Sequence, residues 1–348
     1  MYRMTDEARR ASLARALAAR NAQTDALSQD AFSAAYPEQR DWQVGPFRRD
    51  PSLTFRLDGQ WPDPYAIGWT SDSIFNPTVI EHDGGLHLFY RASPRKESIA
   101  SRIGHAVWRP EHGWTDGPAN PAIAESLDNE ILGCEDPKVY RADGRFVLFY
   151  NGIFPVDEAD RAAYPSPGAP VGDVGCDINV ATSDDLVTWH KHGRAVGHDV
   201  SRLWAKGAVI PRDADGNAVR IDGEYLMYVS EGCDGKLVVG HSTDMLTWTF
   251  TDEPYLDLSP VGGHLHEVAS AIVTGDGDLV LDVFYGEDDR RWAAAQVRYR
   301  LDAPYRQVDI HRGGALPWGG LIRHDGAWLL AQGWDAAPGT REILFYRG

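Results

Sequence analysis

A few ionisable side chains stand at the ends of short apolar runs. Asp72, Asn76, Glu135, Asp136, Lys206, His266 and Glu267 precede such runs, Arg91 and Glu231 follow them, and Asp335 comes after the last run but one. Carboxylates gathered in one hollow are what glycosidic bond cleavage needs: one acid protonates the leaving oxygen, and a base or nucleophile serves the anomeric carbon. The 12 Trp and 14 Tyr supply flat rings on which apolar sugar faces stack. His266 beside Glu267 has no second His at metal spacing, so no metal and no cofactor is called for.

Residues so far apart need a scaffold that returns each to one axis, and a repeat provides it. Ser183-Asp184-Asp185-Leu186-Val187-Thr188-Trp189 recurs as Ser242-Thr243-Asp244-Met245-Leu246-Thr247-Trp248, each time after an alternating apolar strand. Units of this kind bury their faces only by stacking around an axis, so the expectation is an all-β fold, a five-bladed β-propeller over 41–348. Asp83-Gly84, Asp143-Gly144, Asp222-Gly223, Asp276-Gly277 and Asp325-Gly326 mark the hairpin of each unit, because Asp-Gly accepts the positive φ of a tight turn. In a propeller the innermost strand of each blade starts at the central funnel, which is where the polar residues above fall.

Residues 1–40 read as an N-terminal helical extension. Thr5 to Ala35 lacks Gly and Pro, and Leu13, Leu17 and Leu27 fall on one helical face. That helix packs on the outside of the propeller or mediates a homo-oligomer contact. Ile153 to Gly175, with Pro155, Pro165, Pro167 and Pro170, is too long for a hairpin loop and reads as a cover over one face.

The charge balance is −17, from 34 Lys and Arg against 51 Asp and Glu, which argues against nucleic acid or an anionic membrane as partner. Three cysteines without CxxC spacing favour neither a disulfide framework nor zinc, and suit a reducing compartment. No secretory apolar stretch and no membrane-length run is evident, so the expected location is cytoplasmic.

At the blade starts the sequence resembles glycoside hydrolase family 130, a family of mannoside phosphorylases and mannosidases on a five-bladed propeller. The resemblance rests on Glu135-Asp136-Pro137-Lys138, Asn76-Pro77 with Leu88-Phe89-Tyr90-Arg91, Lys206-Gly207-Ala208-Val209-Ile210-Pro211, and Leu316-Pro317-Trp318-Gly319-Gly320 with Gly333-Trp334-Asp335. It implies that Asp136 is the general acid, relaying its proton through a sugar hydroxyl. Such an acid must hold a proton near neutral pH, and Glu135 with partial burial is expected to raise its pKa. Asn76, Arg91, Glu135, Lys206, His266 and Asp335 are expected to line the sugar site, Arg91 and Lys206 serving equally well as ion-pair partners of axial carboxylates.

Where the phosphorylases carry a His-Arg-Pro segment, this chain has Val229-Ser230-Glu231-Gly232. A carboxylate in place of a phosphate-binding arginine repels phosphate. Glu231 and Glu267 look like the glutamates of the hydrolytic branch, so the sequence favours an inverting hydrolase of a β-mannoside or related oligosaccharide, with one of them as base. A phosphorylase and a non-catalytic glycan-binding propeller are the alternatives. The related arabinanases place a catalytic Glu at the third blade start, where this chain has Trp204-Ala205-Lys206.

Overall fold

Alternating apolar strands joined by tight turns give five antiparallel sheets arranged as the blades of a propeller. The structure is a computed structural model and describes residues 5–18, 28–96, 98–287, 292–316, 318–337 and 339–348. Blade 1 comprises Ser73–His82, Gly85–Ser93, Arg102–Arg109 and Gly113–Asp116, and blade 2 comprises Gly133–Ala142, Arg145–Pro155, Val174–Ser183 and His190–Arg194. Blade 3 comprises Arg220–Ile221, Glu224–Val229, Val238–Ser242 and Thr249–Asp252, and its inner edge is extended by Ala205–Lys206 paired with Glu231–Gly232. Blade 4 runs through His264–Val273, Asp278–Gly286, Trp292–Arg300 and Asp309–Arg312.

Blade 5 is completed from the other end of the chain. Gly320–His324, Ala327–Gln332 and Glu342–Arg347 take Arg48–Arg49 as their outer strand, with Arg48 opposite Arg347. Arg347 Nε also donates to Asp50 Oδ2 at 2.6 Å, so the ring is closed by the chain's own early residues.

The turns follow their dipeptides. Asp83, Asp143, Asp222 and Asp325 and the glycine after each have positive φ, from 49° to 52° at the aspartates. The blade 4 hairpin differs: only Gly277 of its Asp-Gly pair is left-handed, and Gly277 N donates to Thr274 O in a longer loop. The repeated phrase is structural. Asp185 Oδ1 accepts Val187 N and Thr188 N at 2.8 and 2.7 Å, and Asp244 Oδ1 accepts Leu246 N and Thr247 N at 2.8 Å each. The indoles then reach the preceding blade, Trp189 edge-on to Phe89 at 5.6 Å and Trp248 edge-on to Phe149 at 6.0 Å. The core is a ring of such layers, with Phe89, Val139 and Leu148 between blades 1 and 2 and Phe149, Met227 and Val229 between blades 2 and 3.

Where one N-terminal helix was expected, the described residues form helices Asp6–Ala18 and Gln29–Ala35, and Leu27 lies outside the described residues. Leu13 and Ala16 are fully buried, so the apolar face of the first helix packs on the propeller wall. In the second, Phe32 enters the core and the buried Gln29 holds Gly314 O and Leu316 N. Among the described residues no helix is long and apolar enough to cross a membrane, and the three cysteines are buried free thiols.

Each repeated Asp carboxylate satisfies two backbone N–H groups, which hold its pKa below the ordinary aspartate value. Asp185→Ala or Asp244→Ala should each cost about 1 kcal/mol in urea unfolding at neutral pH. Because the folded pKa is depressed, the penalty should fade as the pH falls through it.

Candidate active site

One device aims side chains at the axis in several blades. In blade 1, Phe75 pairs with Arg91 and Thr78 with Phe89, leaving one extra residue at Asn76-Pro77. Blade 2 repeats this, with Glu135 opposite Asn151, Lys138 opposite Phe149, and the extra residue at Asp136-Pro137. Such a bulge re-aims a side chain, and the proline costs no ladder bond because the bulged residue is unpaired. Asn76 and Asp136 have φ of 48° and 52°, a region that Asn and Asp tolerate better than other non-glycine residues. Trp318, at the start of blade 5, has φ 54°, and Gly207 in blade 3 has φ 75°. A large aromatic in that region is unusual, and strained residues of this sort cluster at functional sites. Gly207 also makes room: a Cβ there would lie 3.2 Å from Glu267 Cγ.

Four charges interlock around the bulges. Arg91 Nη2 donates to Glu135 Oε1 at 2.6 Å and Nη1 to Asp136 Oδ1 at 3.1 Å. Lys206 Nζ donates to Glu135 Oε2 at 3.0 Å and to Asp136 Oδ2 at 3.2 Å. The remaining Arg91 donors go to Ser101 Oγ and Ser98 O, and its guanidinium lies over the Phe75 ring. Asn76 links the network to blade 5, donating from Nδ2 to Asp136 Oδ1 at 2.5 Å and accepting Trp334 Nε1 at 2.6 Å.

The expectation of a raised Asp136 pKa is therefore corrected. Burial does push it upward, but the Lys206 ammonium, the Arg91 guanidinium and the Asn76 amide outweigh that and hold it well below the usual carboxylate range. Glu135 does not repel it effectively, because the same two cations neutralise Glu135. The group that keeps a proton near neutrality is Glu267, pushed up to about 7 by burial and by the negative charges of Glu231 and Asp136, against the pull of Lys138. Lys138 Nζ stands 3.5 Å from Glu267 Oε1 and donates to Ala269 O. Lys206 is raised by Glu135, Asp136 and Glu231 in spite of burial.

Asp136 and Glu267 line one axial cavity together with Asn76, Lys138, Arg212 and Trp318. Glu231 lies opposite Lys206 in the blade 3 pairing and accepts Trp204 Nε1 at 3.1 Å. His266 sits at 5.1 to 5.5 Å from Trp292, Trp318 and Phe284, with its pKa lowered by burial. Asp335 is not brought to this site. The two residues lie in a turn after strand Ala327–Gln332; Trp334 donates to Asn76 on the axial side, and Asp335 accepts Gln29 N at the second helix and the Tyr346 hydroxyl.

The segment expected to cover one face docks beside the Glu231 strand. After strand Arg145–Pro155 it forms helix Glu158–Ala163, and Asp234 Oδ1 then accepts Gly168 N, Ser166 Oγ and Ala169 N at 2.6 to 3.3 Å. Sequence reasoning missed Lys138 and Trp318 as lining residues and Trp334 as the donor that holds Asn76. Lys138 had a legible signal, since it stands two places after Asp136 on the same strand. The indoles had none beyond their proximity to Gly319 and Asp335.

No family model matches the chain. A 1,2-β-oligomannan phosphorylase of Thermoanaerobacter sp. (strain X514) is 24% identical over 200 residues, 55% of this chain and 56% of the relative. A β-1,2-mannobiose phosphorylase of the same organism is 28% identical over 136 residues, 36% and 39% of the two chains. The chain thus spans about half the length of the first relative and two-fifths of the second. A solved structure described for the family 130 mannoside phosphorylases, as containing glycoside hydrolases that target β-1,2 mannosidic linkages in Candida mannan, superposes with a TM-score of 0.67 at 21% identity, over 89% of this chain and 95% of that one. The chain resembles glycoside hydrolase family 130. Its five-bladed propeller is the family 130 fold, and its sequence is similar to mannoside phosphorylases.

Glu135 is fully buried between two cations, so Glu135→Ala should cost about 3–5 kcal/mol in urea unfolding, the range for breaking a buried pair. Glu267→Gln should behave oppositely. A carboxyl whose folded pKa is raised from 4.5 to about 7 contributes stability below its unfolded pKa that is lost as the pH rises through 7. The glutamine variant should therefore be more stable than the native protein at alkaline pH, by up to ~3 kcal/mol, with the gain shrinking towards pH 5.

Proposed function

We propose that the protein cleaves a β-mannoside or related β-linked oligosaccharide with inversion, using water as acceptor, Glu267 as base and Asp136 on the leaving-group side. The observation that carries this is the charge arrangement of the funnel. Its two central cations, Arg91 and Lys206, are already engaged by Glu135 and Asp136, and Glu231 and Glu267 add further carboxyl groups around them. A phosphate dianion entering there meets like charge in a water-poor site. Water does not.

Glu267 suits the base role because a general base works best with a pKa near the operating pH, and it shares the axial cavity with Asp136. Glu231 acts on Glu267 as the like charge that helps raise it. Asp136 begins as an anion, so it gains a proton only when the bound sugar loosens its ion pairs. A hydroxyl inserted between Lys206 Nζ and Asp136 does that, and a protonated Asp136 can then pass its proton through that hydroxyl to the leaving oxygen. Trp318, left-handed and on the axis, offers a flat face for the sugar ring.

Phosphorolysis is the second reading, favoured by the names of the two sequence relatives, both phosphorylases. Incubation of β-1,2-mannobiose with and without inorganic phosphate, followed by proton NMR of the first product, separates the two. Hydrolysis should proceed without phosphate and release free mannose of inverted anomeric configuration; a strict phosphate requirement with mannose 1-phosphate as product refutes the water reading. If Glu267 is the base, kcat/KM should fall on the acid side of about pH 7, and Glu231→Gln should move that limb to lower pH by removing a like charge. Asp136→Asn should keep the fold and lose activity by about 10²–10⁴-fold.

A further inference from the structure

Among Arg91, Glu135, Asp136, Lys206 and Asn76, only the Asn76 amide can be turned over without moving any atom far. Its oxygen and its amino group fill nearly the same space, so the partner on the far side decides which of them meets Asp136. That partner is the Trp334 indole, whose Nε1 lies 2.6 Å from Asn76 Oδ1. An indole N–H donates and cannot accept. The amide oxygen is therefore drawn to Trp334, and the amino group is left facing Asp136 Oδ1 at 2.5 Å.

With the amide so turned, Asp136 meets donors alone among the described residues: Asn76 Nδ2 and Arg91 Nη1 at Oδ1, and Lys206 Nζ at Oδ2. A flipped amide would set its oxygen against the carboxylate oxygen and its amino group against the indole N–H. Those are two unmade hydrogen bonds in a buried network, where each is costly.

The indole has little freedom of its own. Trp334 is buried, and Gln332 Oε1 accepts both Gly333 N and Trp334 N, at 2.7 and 2.9 Å. Lys96, which follows strand Gly85–Ser93 of blade 1, donates from Nζ to Gly333 O, Trp334 O and Ala336 O at 2.8 to 3.4 Å and stands 5.1 Å from the Trp334 ring. Phe75 meets that ring edge-on at 5.5 Å, and Trp318 lies against it at 4.7 Å. Backbone and ring are both fixed, and the one polar atom of the side chain points at Asn76.

We propose that Trp334 is a positioning residue of the cleavage reaction: its N–H locks the Asn76 amide in the orientation that donates to Asp136, and Lys96 and Gln332 hold the turn that aims it. This role rests on the placing of Asp136 on the leaving-group side. It adds a condition on the proton path. Because Asn76 and Arg91 only donate to Oδ1, a proton reaches Asp136 on the Oδ2 side, where Lys206 must first give way to a sugar hydroxyl.

A double-mutant cycle on the full chain, with cleavage of β-1,2-mannobiose as the assay, tests it. Trp334→Phe keeps a ring between Phe75 and Trp318 but removes the N–H; it should lower kcat by ~10–100-fold and leave KM within about threefold of the native value. Adding Trp334→Phe to Asn76→Ala should cause no further loss, because the amide through which the indole acts is gone. An equal fold-loss in both backgrounds overturns the proposal, since an effect of packing alone would add. Neutron diffraction from deuterium-exchanged crystals of the native protein at neutral pH gives an answer that needs no turnover. It should show deuterons on Asn76 Nδ2 facing Asp136, one on Trp334 Nε1 facing Asn76 Oδ1, and none on Asp136; an Asn76 Oδ1 facing a deuterated Asp136 overturns the proposal. If the native protein does not cleave β-1,2-mannobiose the functional reading is what fails, and there, as where a variant does not fold, the neutron map decides alone.

Discussion

The candidate site depends on one constraint: ionised groups taken out of water must find partners, and here they find them across blades. Glu135 and Asp136 of blade 2 are held by Arg91 of blade 1 and Lys206 of blade 3. Each cation bridges both carboxylates, so removing any one member leaves a buried charge exposed to a low-dielectric interior. The network binds three blades at the top of the funnel and also sets the protonation states there. Asp136 is kept anionic by its neighbours, while Glu267, one blade further on, keeps its proton because burial and the negative charges of Glu231 and Asp136 outweigh the pull of Lys138 and Lys206.

Backbone geometry makes that arrangement possible. An extra residue at the same place in blades 1 and 2 lifts Asn76 and Asp136 out of the ladder and turns both to the axis, where they meet at 2.5 Å. Positive φ recurs at Gly207 and Trp318, so the inner strands of blades 3 and 5 break pattern at the corresponding level. The regular outer strands and the interblade indoles Trp189 and Trp248 carry the stability that lets the funnel rim remain strained.

Much of this was legible in the sequence because it is written in local chemistry. Asp-Gly pairs demand hairpins, the Ser-x-Asp phrase demands a turn, and alternating strands of similar length demand stacking. Asp136, Arg91 and Lys206 could be singled out because charged residues interrupting apolar strands have few other uses. The ionisation of Asp136 was not legible: it depends on two cations that lie 45 and 70 residues away in the chain and converge only in the fold. Asp335 fell outside the site because the chain turns directly after Gln332 and carries its carboxyl to Gln29 N and the Tyr346 hydroxyl, partners that only the fold brings near. Arg212 was silent, since a lone arginine after Pro211 looks like any surface residue until its burial along the axial cavity is known. The closure of blade 5 by Arg48–Arg49 involves a pair of residues too short to read as a strand.

The roles of Asp136 and Glu267 rest on the protonation of these two carboxyl groups in the ligand-free protein. Carboxyl-carbon NMR titration of selectively ¹³C-labelled native protein, with Asp136→Asn and Glu267→Gln used to assign the two resonances, measures both directly. Asp136 should remain an anion throughout the range in which the protein stays folded, and Glu267 should titrate near pH 7. An Asp136 that takes up its proton near neutrality, or a Glu267 already ionised at pH 5, would contradict these roles.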